Sequence, residues 1–166
     1  IAMMTEGAVL DWSALHLTQE LGAAPGAAGL GYALLSIGMA LSRFVGDRLR
    51  RALGRLAMLR WSASIGALGL GLAVAAGRVD VALIGYVVAG FGLGNLVPVL
   101  FSAAGALEPD RPGHAIAAVT TLGYSGFLLG PPVVGAIAAV TGLTTALALL
   151  ALGCLSVGLL ARRVGS

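Results

Sequence analysis

Residues 42–60 read SRFVGDRLRRALGRLAMLR and hold six of the ten arginines of a chain that contains no lysine. Apolar stretches of membrane-spanning length flank this segment, the arginine cluster, on both sides. Because moving arginine across a bilayer costs several kcal/mol per residue, a short basic loop stays on the cytoplasmic face of a membrane protein. The arginine cluster therefore predicts the orientation from which the rest of the chain can be threaded.

The composition excludes a soluble protein. Hydrophobic residues make up 58% of the chain and charged residues only 10%, whereas a soluble surface needs roughly a quarter to a third of its positions charged. The pI near 9.8 could indicate a nucleic-acid-binding protein. However, nine of the ten arginines lie in or beside short loops and in the last turn, where membrane orientation explains them. We therefore expect an integral membrane protein with no nucleic-acid partner.

Breaks rich in glycine, proline and charge divide the chain into six apolar segments, each close to the roughly 20 residues that cross a hydrocarbon core about 30 Å thick. The predicted transmembrane helices cover residues 1–21, 27–45, 56–76, 81–107, 115–140 and 143–161. The predicted fold class is all-α, a polytopic membrane helix bundle that forms a single domain over residues 1–166. Since the connections are short, consecutive helices should be antiparallel neighbours.

This threading places nine arginines on one side of the membrane and Arg78 alone on the other, as the positive-inside rule requires. Both ends are therefore expected in the cytoplasm. Residues 1–22 carry Glu6 and Asp11 and no basic leader, so we do not expect a signal peptide. Because the chain begins with Ile1 rather than methionine, we expect it to be part of a longer protein.

The first predicted helix carries more polar side chains than lipid would accept around a lone helix, so it should line a wet cavity or be covered by protein. Counting back from Gly22 places Asp11 near the bilayer centre and Glu6 about 7.5 Å closer to the cytoplasm. The two carboxylates lie about 140° apart around the helix, which implies two different neighbours. Each is either a protonatable or substrate-binding group in a water-filled path, or a structural partner of an arginine elsewhere; we favour the first. His16, near the outer end, is either an ordinary interfacial histidine or a group that moves protons.

Polar groups also occur in the middle of the second, fourth and fifth helices, whereas the third and sixth helices carry little beyond serine. The groups are Tyr32 and Ser36, then Asn95, then Thr120, Thr121, Tyr124 and Ser125. We therefore expect helices one, two, four and five to line a cavity, and helices three and six to face lipid. The candidate substrate or proton pathway consists of Glu6, Asp11, Tyr32, Asn95 and Tyr124, although a packing hydrogen bond remains an equal alternative for Asn95.

Two glycine-rich stretches predict local distortions. Asn95 follows the run GFGLG and precedes Pro98, so the fourth helix should bend there. That run superficially resembles a dinucleotide-binding loop, but it lies inside a membrane span with no strand before it. In the fifth helix, Gly126 and Gly130 followed by Pro131 and Pro132 predict a close-packed, kinked surface.

No pattern in the sequence indicates an enzyme, a cofactor or a metal site. It contains no metal-ligand cluster, no Cys/His pair at useful spacing and no nucleophile elbow. The single cysteine, Cys154, lies in an apolar run and is expected to be an inert core residue. Two alternatives to transport stay open, a six-helix sensor or scaffold and a membrane-embedded enzyme, and a charge at the bilayer centre argues against the scaffold.

The sequence resembles the C-terminal half of a major facilitator superfamily transporter, most closely the bacterial YbjJ-like branch, over essentially all 166 residues. Three strings carry the resemblance: EGAVLDWSALHL at 6–17, RFVGDRLRRALGR at 43–55 and GYSGFLLGPPVVG at 123–135. The second is a variant of the superfamily's G-x-x-x-D-R-x-G-R-R signature. It departs from that signature because Arg43 occupies the place of the usual glycine, Gly46 directly precedes Asp47, and four extra residues separate Arg48 from Gly54.

The resemblance implies a twelve-helix secondary transporter of the bacterial inner membrane, with a central cavity between two six-helix halves. This chain would supply the seventh to twelfth helices, and its partners would be the lipid bilayer, a small-molecule substrate and the N-terminal half. Alternating access, with proton coupling through Asp11 or Glu6, is the expected mechanism. By the same resemblance Asp47, Arg48 and Arg55 would form a cytoplasmic gate, the alternative being that the arginines serve only as topology signals.

Overall fold

A computed structural model describes residues 1–161, so Arg162 and Arg163 of the topology count lie outside the described residues. The described chain consists of helices and turns, which confirms the all-α fold class. Helix α1, Ala2–Leu15, continues into a π-helical turn, His16–Glu20, and a 3₁₀ turn, Pro25–Ala27, precedes α2. The remaining helices are α2 Leu30–Leu53, α3 Arg55–Ala75, α4 Val79–Leu93, α5 Leu96–Leu107, α6 Pro112–Thr141 and α7 Leu143–Leu160.

Five of the six predicted spans are long and apolar enough to cross a membrane. They cover residues 25–53, 55–75, 79–107, 112–141 and 143–160. The first span, α1 with its π turn, ends at Glu20 and is about 28 Å long at 1.5 Å per residue, but it carries three acidic side chains. Helices α4 and α5 form a single span interrupted at Gly94 and Asn95, where the sequence predicted a distortion.

The arginine cluster is largely helical, so the prediction of a basic loop is wrong. Helix α2 continues to Leu53 and α3 begins at Arg55, which leaves only Gly54 between them. Arginine, leucine and alanine all favour a helix, and only Gly54, at φ +79°, adopts the left-handed backbone that separates the two helices. Asp47 and Arg48 therefore lie inside α2 rather than beyond its end.

Consecutive helices are in contact, as predicted, but for α1 and α2 the main packing partners lie elsewhere in the chain. Helix α2 packs chiefly against α4, α1 packs against α6, and α3 packs against both α4 and α7. Helices α1 and α6 run in the same direction, since Gly7 contacts Phe127 and Trp12 contacts Gly135. A short connection forces two helices to be antiparallel, but packing surfaces far apart in the sequence decide which helices touch.

The glycines of the GFGLG run explain how α4 packs between two helices. A Cβ atom on Gly90 would overlap the carbonyl oxygen of Leu35 in α2, and a Cβ atom on Gly92 would overlap the backbone nitrogen of Gly66 in α3. Successive glycines thus face different neighbours, and each allows backbones to approach more closely than any side chain would permit.

The outward sides of α3 and α7 are apolar. Their exposed large side chains are Trp61, Leu68 and Leu72 in α3, and Leu149, Leu152, Leu155, Leu159 and Leu160 in α7. This agrees with the lipid-facing role expected of the third and sixth spans. Cys154 points the other way and is buried, with its Sγ 3.3 Å from the Thr5 hydroxyl of α1.

Candidate functional site

Helix α1 lies against α6 along a seam that glycine and proline make possible. A Cβ atom on Gly7 would lie 2.6 Å from the Phe127 carbonyl oxygen, so only glycine fits there. Trp12 Nε1 donates a hydrogen bond to the Pro131 carbonyl at 3.0 Å, and its ring packs against Gly135. The strings at 6–17 and 123–135 therefore form a common surface, which fixes the position of the acidic side chains of α1.

Glu6 and Asp11 lie on different sides of α1. Glu6 is half-buried on the α2 side, where Arg43 is close enough to act electrostatically on its carboxylate. Asp11 lies about 140° further round the helix, towards α6, and is exposed. Among the described residues neither carboxylate forms an ion pair, although the charge of Arg43 acts on Glu6.

Arg43 also contacts the interruption between α4 and α5. Its Nε donates to the Gly94 carbonyl at 3.5 Å. In a continuous helix that carbonyl would accept a hydrogen bond from residue 98, but Pro98 has no N–H. Arg43 thus donates to the carbonyl that the proline leaves without a backbone donor. The charge of the same guanidinium also acts on Glu6.

Asn95 ties the same interruption to α2. Its Nδ2 donates to the Ser42 carbonyl at 2.8 Å and to the Ser42 hydroxyl at 2.7 Å, and the side chain is only 8% exposed. Gly46 leaves room for the amide, because a Cβ atom there would overlap Asn95 Oδ1. These contacts support the packing alternative for Asn95.

The two tyrosines of the candidate pathway lie apart from the carboxylates. Tyr32 is half-buried against the core, and Tyr124 is 56% exposed on α6. Within residues 1–161, neither hydroxyl is hydrogen-bonded to Glu6, Asp11 or Asn95. The hydroxyls around Tyr124 are satisfied by their own helix, each donating to a carbonyl four residues earlier: Thr120, Thr121 and Ser125.

His16 is fully buried in the protein. It opens the π-helical turn, and its Nδ1 lies 2.9 Å from the hydroxyl of Tyr86 in α4. Its Nε2 is buried with no hydrogen-bond partner among the described residues. Sequence reasoning missed this pair because the two residues are 70 positions apart and Tyr86 lies in a uniformly apolar helix; π turns do recur at functional sites, but they leave no sequence signal.

The profile of the Major Facilitator Superfamily matches residues 1–164. The chain belongs to this superfamily. An uncharacterized MFS-type transporter of Yersinia pestis is 40% identical over 164 residues, which is 99% of this chain and 43% of that protein. Membrane protein MosC of Rhizobium meliloti is 35% identical over 147 residues, covering 89% of this chain and 36% of that protein. No solved structure matches the chain.

These matches confirm the resemblance and make the chain a multi-pass membrane protein of a transporter superfamily, which points away from an enzyme. The chain spans less than half the length of these relatives, at 43% and 36%. That coverage agrees with one six-helix half of an MFS transporter. Membership of a transporter superfamily thus offers a reason for exposed acidic residues in α1, a helix of membrane-spanning length.

The MFS signature segment forms a small cavity of about 240 Å³ at the Arg-rich end of α2, α3 and α5. Asp47 Oδ1 lies 3.8 Å from Arg50 Nη2, and Arg50 Nη1 donates to the Ser102 hydroxyl of α5 at 3.4 Å. Arg48 and Arg55 are exposed, and Asp47 pairs with neither. The structure thus brings Asp47 together with Arg50 rather than with the two arginines named from the signature.

In the described part of this MFS chain, no three His, Cys, Asp or Glu side chains come together as a possible metal site. The polar groups that do come together are Asn95 with Ser42, Asp47 with Arg50, and His16 with Tyr86. Asp11 stands alone. A mid-span carboxylate without a partner is suited to binding and releasing a proton or a cationic group.

Proposed function

We propose that this chain is the C-terminal half of a secondary transporter that moves a small solute by alternating access and is coupled to protons. Both of its ends would lie in the cytoplasm, in the inner membrane of a bacterium. The observation that carries the proposal is Asp11, an exposed carboxylate halfway along a helix of membrane-spanning length.

An exposed carboxylate at that depth is incompatible with lipid, because an ionised group in the bilayer centre is costly. Asp11 makes no ion pair within residues 1–161. It therefore needs water, a substrate or a polar surface of the missing half next to it. A cavity between two halves supplies all three.

The two carboxylates of α1 differ in what surrounds them, which supports a division of roles. Arg43 gives Glu6 a compensating charge, so Glu6 suits a fixed electrostatic role beside the α4–α5 interruption. Asp11 has no such partner and gains or loses a proton without breaking an ion pair. We accordingly assign the proton-carrying role first to Asp11.

The competing function is a six-helix sensor or scaffold that transports nothing. Such a protein has no need of a carboxylate at the bilayer centre, and membership of a transporter superfamily does not favour it. The two functions differ in one measurable property, the coupling of solute movement to a proton gradient.

The test uses the whole transporter, both halves together, reconstituted into vesicles with a solute found by screening uptake. Asp11→Asn should abolish gradient-driven accumulation and spare solute exchange, because a neutral amide binds without titrating. Glu6→Gln should impair both activities if Glu6 has the fixed role. Asp80→Asn is the matched control, since Asp80 pairs with Arg78 outside the apolar part of the span and should not affect coupling.

A variant with Asp11→Asn that still concentrates solute would exclude Asp11 as the proton carrier. If the uptake screen finds no solute that the whole transporter moves, the scaffold is favoured. We also expect that the 166 residues alone do not transport, because Asp11 would then face lipid; uptake by the reconstituted fragment would contradict the need for a second half.

A further inference from the structure

The outward side of α3 carries two cavities in line along one helical stripe. The first, about 270 Å³, is lined by Ala57, Arg60, Trp61 and Ser64. The second, about 460 Å³, lies between α3 and α7, from Ala67 and Leu155 at one end to Ala75 and Thr144 at the other. Because these α3 residues recur every three or four positions, both cavities open on the same side of the helix.

We propose that these cavities form a binding site for one anionic phospholipid, whose phosphate contacts Arg60 and whose acyl chain occupies the apolar groove between α3 and α7. This site is separate from the polar residues of α1 and does not depend on the proposed transport function. Only the leaflet, the cytoplasmic one, rests on the orientation inferred from the arginines.

The first cavity has the chemistry of a headgroup site. Arg60 is half-buried and makes no ion pair with a carboxylate among residues 1–161. A guanidinium binds phosphate through two parallel hydrogen bonds, and basic pockets between transmembrane helices hold anionic headgroups. Trp61 is 60% exposed beside it, and tryptophan is enriched at the membrane–water interface. The Ser64 hydroxyl, one helical turn further along α3, offers a further donor in the same cavity.

The second cavity has the dimensions of an acyl-chain site. From Ser64 to Ala75 the helix rises about 16 Å, close to half of a hydrocarbon core about 30 Å thick. The groove is open where the side chains are small: a Cβ atom on Gly71 would meet no other atom within 4 Å. Leu68 of α3 and Leu152 of α7 stand 71% and 61% exposed at its edges. A chain lying between them restores dispersion contacts that an empty groove would lack.

Charge distinguishes a lipid from other occupants of this surface. A second copy of the chain or the missing half would place another protein surface over the groove and leave Arg60 to be neutralised by a carboxylate. An anionic phospholipid supplies the phosphate at the end where Arg60 lies and an apolar chain along the rest, in the order in which the two cavities occur.

The experiment is native mass spectrometry of the whole transporter, incubated with equal amounts of dioleoylphosphatidylglycerol and dioleoylphosphatidylcholine. We expect one phosphatidylglycerol to remain bound in preference to phosphatidylcholine. Arg60→Gln should lower phosphatidylglycerol occupancy about tenfold, as expected for the loss of a charge-assisted hydrogen bond, while Arg60→Lys should retain most of the preference. Arg51→Gln is the matched control, an exposed arginine of α2 that should change nothing.

Gly71→Leu provides the second arm, because it fills the groove without touching the headgroup site and should lower retention of both lipids. Equal losses of phosphatidylglycerol occupancy in Arg60→Gln and Arg51→Gln would mean that a basic surface attracts the lipid without a specific site, and would overturn the proposal. If Gly71→Leu retains as much lipid as the wild type, no acyl chain occupies the groove and the proposal is overturned. The same holds if the wild type forms dimers that Gly71→Leu disrupts, because a second copy would then occupy the groove.

Discussion

Replacing Tyr86 with phenylalanine tests whether the buried pair with His16 holds α1 to α4. The change removes the hydroxyl that lies 2.9 Å from His16 Nδ1 and leaves the shape of the side chain almost unaltered. His16 Nε2 is already without a partner in the described chain, so both ring nitrogens of a fully buried imidazole would then be unsatisfied. Leaving a buried polar group without its hydrogen bond costs about 1–3 kcal/mol, and we expect Tyr86→Phe to lower the free energy of unfolding by that amount.

The reverse change, His16→Leu, leaves the Tyr86 hydroxyl buried and unpaired, so it should cost a similar amount. The double variant removes both polar groups, and replacing both partners of a buried hydrogen bond with apolar groups can be nearly neutral. The double variant should therefore be more stable than the sum of the single effects predicts, by about 1 kcal/mol or more.

Denaturant unfolding of the whole transporter in one detergent, followed by circular dichroism, measures these differences. Tyr124→Phe is the control, since that side chain is 56% exposed and its loss should be close to neutral. Strictly additive single and double effects would mean that the two side chains do not interact, and the argument that this pair fixes the π turn against α4 would then fail.

Two further predictions concern packing and the signature segment. Gly90→Ala should destabilise the fold by about 1–3 kcal/mol, because the added carbon overlaps the Leu35 carbonyl and the helices must move apart; Gly71→Ala, in open space on α3, should be close to neutral in the same unfolding assay. Asp47→Asn should slow transport severely if Asp47 is part of the gate. Its stability and insertion should not change, because the 3.8 Å pair with Arg50 is exposed and contributes about 0–1 kcal/mol. Wild-type transport rates in this variant would mean that the arginines serve only as topology signals.

The spans were predictable because their ends carry local signals. Gly54, Pro112 and Gly142 lie at helix boundaries where the chain needs a left-handed backbone or a proline at a helix start. The interruption at Gly94 and Asn95 was predictable for the same reason, since Pro98 removes a donor from the helix. Each of these features depends on residues within a few positions of one another.

The contacts that connect distant helices were not predictable from the sequence. Nothing in the residues around His16 indicates Tyr86, and the contact of Arg43 with the Gly94 carbonyl joins residues 51 positions apart. A basic run reads equally well as a loop or as the end of a helix, because arginine both signals topology and favours helices. The sequence also gives little indication of which face of a helix is buried when every face is apolar.

The proposal that a second half packs against this chain rests on Asp11 rather than on α6. Only Gly130 and Val134 of the thirty residues of α6 are buried, so most of that helix requires some cover. Lipid could cover it, because Thr120, Thr121 and Ser125 already donate to their own backbone. Lipid could not cover Asp11, whose charge has no partner in the described chain. In the proposed transporter, the most important surface of the second half is therefore the part that reaches α1, and the feature to seek there is a group that stabilises a carboxylate.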